Sequence, residues 1–115
     1  MNENKDNLVY IHHILDAINQ VEIYLEHVDF EIFSSNRMIF DAVTRELEII
    51  GEASNNIEAD FQKQFPDIPW RKVVGTRNLL IHEYFGINKK VIWDACQDDI
   101  PELKKIILKI ISDPK

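Results

Sequence analysis

The sequence is poor in the residues that break or staple a chain: three glycines, four prolines and one cysteine among 115 residues. A single cysteine, Cys96, excludes an internal disulfide and any cysteine-rich zinc site. It sits in the apolar pattern Val91, Ile92, Ala95, Cys96, which reads as a buried thiol. So little glycine and proline leaves few turns, which argues against a multi-stranded sandwich or barrel. No apolar run approaches membrane-spanning length. The polar start, Met1 to Asn7, has no hydrophobic stretch of the secretory kind behind it. The expectation is a soluble, cytoplasmic protein.

What is present fits one helical domain. Hydrophobic residues make up 45% and charged residues 29% of the chain, an ordinary globular balance. The length matches a single domain spanning residues 1–115. The net charge is −7 but unevenly distributed. The stretch from Arg71 to Lys90 carries +4 (Arg71, Lys72, Arg77, Lys89 and Lys90 against Glu83), leaving −11 for the remainder. An acidic body with one basic segment points to a localised anion site rather than to general affinity for nucleic acid.

Apolar residues recur at three- and four-residue steps from Leu8 to Val28, predicting an amphipathic helix of about twenty residues. Asp29, Ser34, Ser35 and Asn36 form a polar break with capping residues. A longer pattern then runs from Ile39 to Phe61, interrupted by Gly51, where close approach of another helix is the expected reason. The run Phe65-Pro66-Asp67-Ile68-Pro69 ends it. A third helix is predicted from Trp70 to His82 or Tyr84, followed by a Gly86 stop and an Asn88 cap. A short helix from Val91 to Gln97 and a last one from Glu102 to Ile111, with Pro101 in its first turn, complete an all-α bundle of four to five helices.

Arg77, Asn78, His82 and Tyr84 fall within eight residues inside the basic stretch. Together they can cleave a phosphodiester without a metal. A guanidinium grips phosphate and offsets charge building on it. An imidazole that titrates near neutrality moves protons. On RNA the 2′-hydroxyl would be the nucleophile. Positions five apart are rotated by about 140° on a regular helix, so Arg77 and His82 would not share a face. Either the helix ends or distorts before His82, or the site is assembled from two subunits.

Arg77-x4-His82 matches the R-x4-6-H motif of the HEPN superfamily, and with Tyr84 it resembles the HepT-like branch. The likeness extends over nearly the whole chain. It includes Arg45 to Ala53, Pro69-Trp70 leading into Gly75-x-Arg77-Asn78, Val91-Ile92-Trp93, and Asp99 to Leu103. The resemblance implies an α-helical HEPN fold, a homodimer with the motif at its interface, and metal-independent endoribonuclease activity with no cofactor. By carry-over Arg77 and His82 are catalytic and Asn78 shapes the site. It also implies a toxin paired with an MntA-like nucleotidyltransferase antitoxin, which transfers AMP onto Tyr84.

Each residue also has a plainer reading. Arg77 could pair with Glu46, Glu48 or Glu52, His82 could be a hydrogen-bonded helix-end histidine, and Tyr84 a core aromatic. Trp70 and Trp93 read as core or interface anchors. His12 and His13, adjacent on a helix, point in different directions and make a poor metal pair. Two other functional classes remain open: a non-catalytic HEPN module that docks a nucleotidyltransferase, and a purely structural dimerisation domain.

Overall fold

A computed structural model describes residues 3–82 and 86–112, and all regular structure among them is helical. Four principal helices carry the bundle: α1 (Glu3–Tyr24), α3 (Arg37–Asn56), α5 (Trp70–His82) and α7 (Ile100–Ser112). Three short ones lie between them: α2 (Phe30–Ser35), α4 (Ala59–Lys63) and α6 (Lys89–Asp94). A π turn, Ala95–Asp99, joins α6 to α7. α3 is central and packs on α1 and α5, while α7 closes over α1.

The predicted periodicities fall where the core is. Ile11, Ile14, Ile18 and Val21 of α1 meet Val43, Leu47 and Ile50 of α3, all buried. Ile107 of α7 and Leu80 of α5 complete the interior. The caps are side-chain oxygens accepting from the first-turn amides, which would otherwise lack partners. Asn36 accepts from Ile39 N at 3.0 Å, Asn88 from Lys90 N at 2.9 Å, and Asp29 from Ile32 N at 2.9 Å.

Three elements differ from the expected pattern. The segment read as a polar break contains α2, because Phe33 plugs the core fully buried, its ring centroid 5.4 Å from those of both Phe40 and Trp93. The long Ile39–Phe61 pattern splits into α3 and α4. Asn7, buried on α1, accepts from Glu58 N at 3.1 Å and donates to Glu58 Oε1 at 3.3 Å, fixing an extended joint at Ile57–Glu58. The last two helices form one continuous run from Lys89 to Ser112. Pro101 has no N–H to donate, and the wider turn before it absorbs the irregularity.

Trp70 anchors the start of α5. Its indole Nε1 donates to the carbonyls of Gln62 and Phe65, each at 3.1 Å, tying the start of α5 to the end of α4. Gly51 has the predicted reason: a Cβ there would overlap Arg77 Cβ and crowd the Val73 carbonyl, so α3 and α5 meet backbone to backbone.

Cys96 is buried as expected, and its thiol is pushed up to about 12 by burial, with the nearby Asp99 carboxylate adding to the shift. The sign follows directly. Below pH 9 the thiol is neutral in both the folded and unfolded chain and contributes nothing. Above it the unfolded chain ionises first, so stability falls, by up to about 1.4 kcal/mol per pH unit. Native protein at pH 8 should resist a thiol-directed disulfide reagent that reacts within seconds after denaturation. Cys96→Ala should flatten the decline in urea midpoint measured above pH 9.

Candidate active site

The site is built on α5. The helix is regular from Trp70 through His82, so it neither ends nor distorts between Arg77 and His82. The two side chains leave it about 140° apart and separated by about 7.5 Å along the axis. One chain therefore does not bring them to a common face. Arg77 turns toward α3, whereas His82 lies exposed at the helix end on the outer face, in line with Asn78, Gly75 and Arg71.

Arg77 is held rather than free. Its Nη2 lies 2.7 Å from Glu52 Oε1 on α3, and its Nη1 donates to Asn78 Oδ1 at 2.9 Å. With 29% of its side chain exposed, the guanidinium keeps further N–H donors at the surface. Glu52 is one of the three acids the sequence offered as a structural partner. The pairing fixes the direction of the guanidinium and leaves part of its fork free, so it is compatible with a role in phosphate binding. Asn78 links the two faces: exposed on the His82 side, it reaches the guanidinium through its amide oxygen. Tyr84, the remaining motif residue, lies outside the described residues.

The basic stretch is largely neutralised by the fold. Lys72 pairs with Asp99 at 2.9 Å and Lys90 with Asp94 at 3.1 Å, while Lys89 donates to the Ser34 carbonyl at 2.8 Å. Lys89 and Lys90 also lie over the rings of Phe40 and Phe30. Of the five cations Arg71 and Lys89 have no acid partner among the described residues, and Lys89 is held by the Ser34 carbonyl. The excess positive charge seen in sequence thus contracts to the α5 face bearing Arg71 and the free edge of Arg77.

One part of the surroundings has no signal in local sequence. Arg77 and Ile81 form one wall of a groove of about 360 Å³, whose other walls are α3 and, through Tyr10 and His13, α1. Only the packing of α1 along α3 brings those residues near the motif.

The model of the family described as "Ribonuclease HepT-like" matches residues 14–110, from the second half of α1 through most of α7. The chain belongs to the HepT-like ribonuclease family. Its relatives carry consistent names. It is 44% identical over 101 residues to "Putative RNase MJ1380" of Methanocaldococcus jannaschii, covering 88% of this chain and 93% of that protein. It is 44% identical over 95 residues to "Probable ribonuclease HepT" of Thermococcus cleftensis, covering 83% and 86%. A third, "Putative RNase TTE0752" of Caldanaerobacter subterraneus, is 37% identical over 106 residues, covering 92% and 95%. No solved structure matches the chain. HepT-like membership agrees with the all-helical fold and with the resemblance carried by Arg77-x4-His82. Among the described residues no helix is long and apolar enough to cross a membrane.

Proposed function

We propose that this protein is a metal-independent endoribonuclease, the toxin of a toxin–antitoxin pair, acting as a two-fold homodimer. The observation that carries the reading is the arrangement on α5: a guanidinium oriented by Glu52 and Asn78, and an exposed imidazole on the other face of the same unbroken helix. A second copy packed along α5 would bring its His82 to the exposed edge of the guanidinium, which Asn78 draws toward the outer face, and so complete a site that one chain does not. The outer face is suited to close approach. Gly75 has open space where a side chain would be, and Leu79 and Ile81, flanking it, are 36% and 47% exposed.

In the proposed reaction the RNA 2′-hydroxyl attacks the adjacent phosphorus while a His82 imidazole removes its proton. Arg77 donates to the phosphate oxygens, where negative charge builds. The P–O5′ bond breaks, and the 5′-oxygen takes up a proton from the same imidazole, protonated in the attack. The products are a 2′,3′-cyclic phosphate and a free 5′-hydroxyl, and no metal or cofactor is consumed. Asn78 keeps the guanidinium turned toward the substrate. The proposed partner is an MntA-like nucleotidyltransferase antitoxin that transfers AMP to the Tyr84 hydroxyl. A bulky anion two residues from His82 would exclude RNA.

RNA cleavage by purified protein in excess EDTA tests this reading. Cleavage with cyclic phosphate ends by wild type, abolished in His82→Ala, is the expected result. Equal cleavage by both would overturn the assignment of His82. No cleavage by a folded, unmodified dimer would turn the reading to a HEPN module that docks a nucleotidyltransferase without cutting RNA.

A further inference from the structure

The groove beside Arg77 has a construction that its role in holding the arginine does not require. Ile49, Ala53 and Ile81 give it an apolar lining. On the α1 side stand Tyr10 and His13, their rings edge to face with centroids 5.9 Å apart. Along the α3 rim are Arg45 and Glu48, 3.6 Å apart, and Glu52, already paired with Arg77. Apolar lining, an aromatic wall and a rim of donors and acceptors match a flat heterocycle with apolar faces and a polar edge. The volume of about 360 Å³ is at the small end of ligand sites and is ample for one purine ring.

Charge decides against a phosphate inside the groove, where the two guanidiniums are each matched by a carboxylate; the scissile phosphate would lie outside it, on the exposed edge of Arg77. A neutral base is not penalised in this way. The rim also discriminates among bases. Each carboxylate has one oxygen bridged to a guanidinium, leaving Glu48 Oε2 and Glu52 Oε2 as acceptors with no partner among the described residues. Guanine presents two adjacent donors, N1–H and the 2-amino group, that suit a carboxylate, and on its other edge O6 and N7 suit a guanidinium. Uracil offers a single N–H donor and no amino group.

We infer that the groove between α1, α3 and α5 is a nucleobase subsite that takes guanine from the nucleotide flanking the scissile phosphate. Single-stranded RNA is read in this way elsewhere, with bases splayed onto aromatic side chains and recognised by their edges. The subsite gives α1, and Tyr10, His13 and Glu48 in particular, a part in substrate choice. It rests on the ribonuclease reading only for the adjacent phosphate, since base binding is measurable alone.

The test titrates the protein with GMP, AMP, CMP and UMP, followed by amide chemical shifts, and repeats it with the isosteric Glu48→Gln variant. GMP should shift the resonances of Tyr10, His13, Glu48 and Ala53, and bind at least about five-fold tighter than UMP. Glu48→Gln should reduce that ratio to less than about two-fold while leaving the spectrum otherwise native. Equal binding of all four nucleotides, or shifts confined to the outer face of α5, would overturn the inference. Cleavage mapping separates the two readings. Wild type that cuts RNA without base preference, with a pattern unchanged by Glu48→Gln, removes the subsite and leaves the ribonuclease. GMP selectivity in a protein that cuts no RNA removes the ribonuclease and leaves the subsite.

Discussion

Arg77→Ala and His82→Ala, each inactive alone, should recover cleavage when mixed. Removing a general acid–base group costs roughly 10²–10⁴ in rate, and removing a charge-stabilising donor costs a similar factor. Each homodimer would thus be silent by comparison with wild type. The regular course of α5 through His82 keeps the two side chains on different faces of one chain. If a working site takes Arg77 from one copy and His82 from the other, a mixed dimer holds one site lacking both groups and one site intact. Random exchange of subunits makes half the dimers mixed, so about a quarter of wild-type activity should return. The measurement is cleavage of one RNA by each variant and by an equimolar mixture refolded together. No recovery in a mixture shown to contain mixed dimers would place the whole site within one chain and defeat the composite arrangement.

Gly51→Ala should loosen the bundle and disable the site together. On helix propensity alone the change would stabilise α3 by about 1 kcal/mol. The structure reverses that sign. The added methyl would overlap Arg77 Cβ, an atom fixed to the α5 backbone, and would press on the Val73 carbonyl, so no rotamer change relieves it. α5 must move away from α3, at a net cost of roughly 1–3 kcal/mol, typical of an overpacked helix contact. The melting temperature should fall by roughly 3–10 °C. The 2.7 Å pair between Arg77 and Glu52 should be lost with it. Cleavage should drop more steeply than stability, measured at a temperature where the variant remains folded. Unchanged melting and unchanged activity would mean that the two helices do not approach as closely as described.

How far the sequence could be read depended on whether the deciding interactions were local. Trp70–His82 was legible to the residue at its start, because two prolines and a polar run precede an uninterrupted pattern. The Asn36 and Asn88 caps were legible for the same reason. Gly51 announced a close helix contact, though not that Arg77 was the residue met there. The division of α3 from α4 was hidden, since it is enforced by Asn7, 51 positions away along the chain. α2 was hidden because Phe33 sits among serines and only tertiary packing reveals it as the plug of the core. Within the proposed site, Arg77, Asn78 and His82 were singled out by spacing and family likeness, and Glu52 was one of three acids that charge offered as a partner for Arg77. The contribution of Tyr10 and His13 was out of reach, since it arises from α1 lying along α3. The neutralisation of Lys72 and Lys90 was not read either: sequence sums charge along a segment, while the fold distributes it among neighbours.

The π turn at Ala95–Asp99 sets the phase of everything that follows it. Ile92, Cys96 and Ile100 are buried at steps of four and four, whereas Leu103, Ile107 and Ile110 continue at steps that average nearer 3.6. Two successive steps of four drift by about 80° on an ordinary α-helix. The wide turn takes up that drift, so the stripes on either side line up as one seam. In effect the chain carries one surplus residue there. Deleting Gln97 or Asp98 would remove the surplus and restore an unbroken α-helix with α7 in its present phase. Closing the turn to an ordinary α-helix with the residue retained would instead rotate α7 by about 100° and carry Leu103 and Ile107 out of the core. The bundle tolerates its irregular turn because that irregularity keeps the last helix in register with the other three.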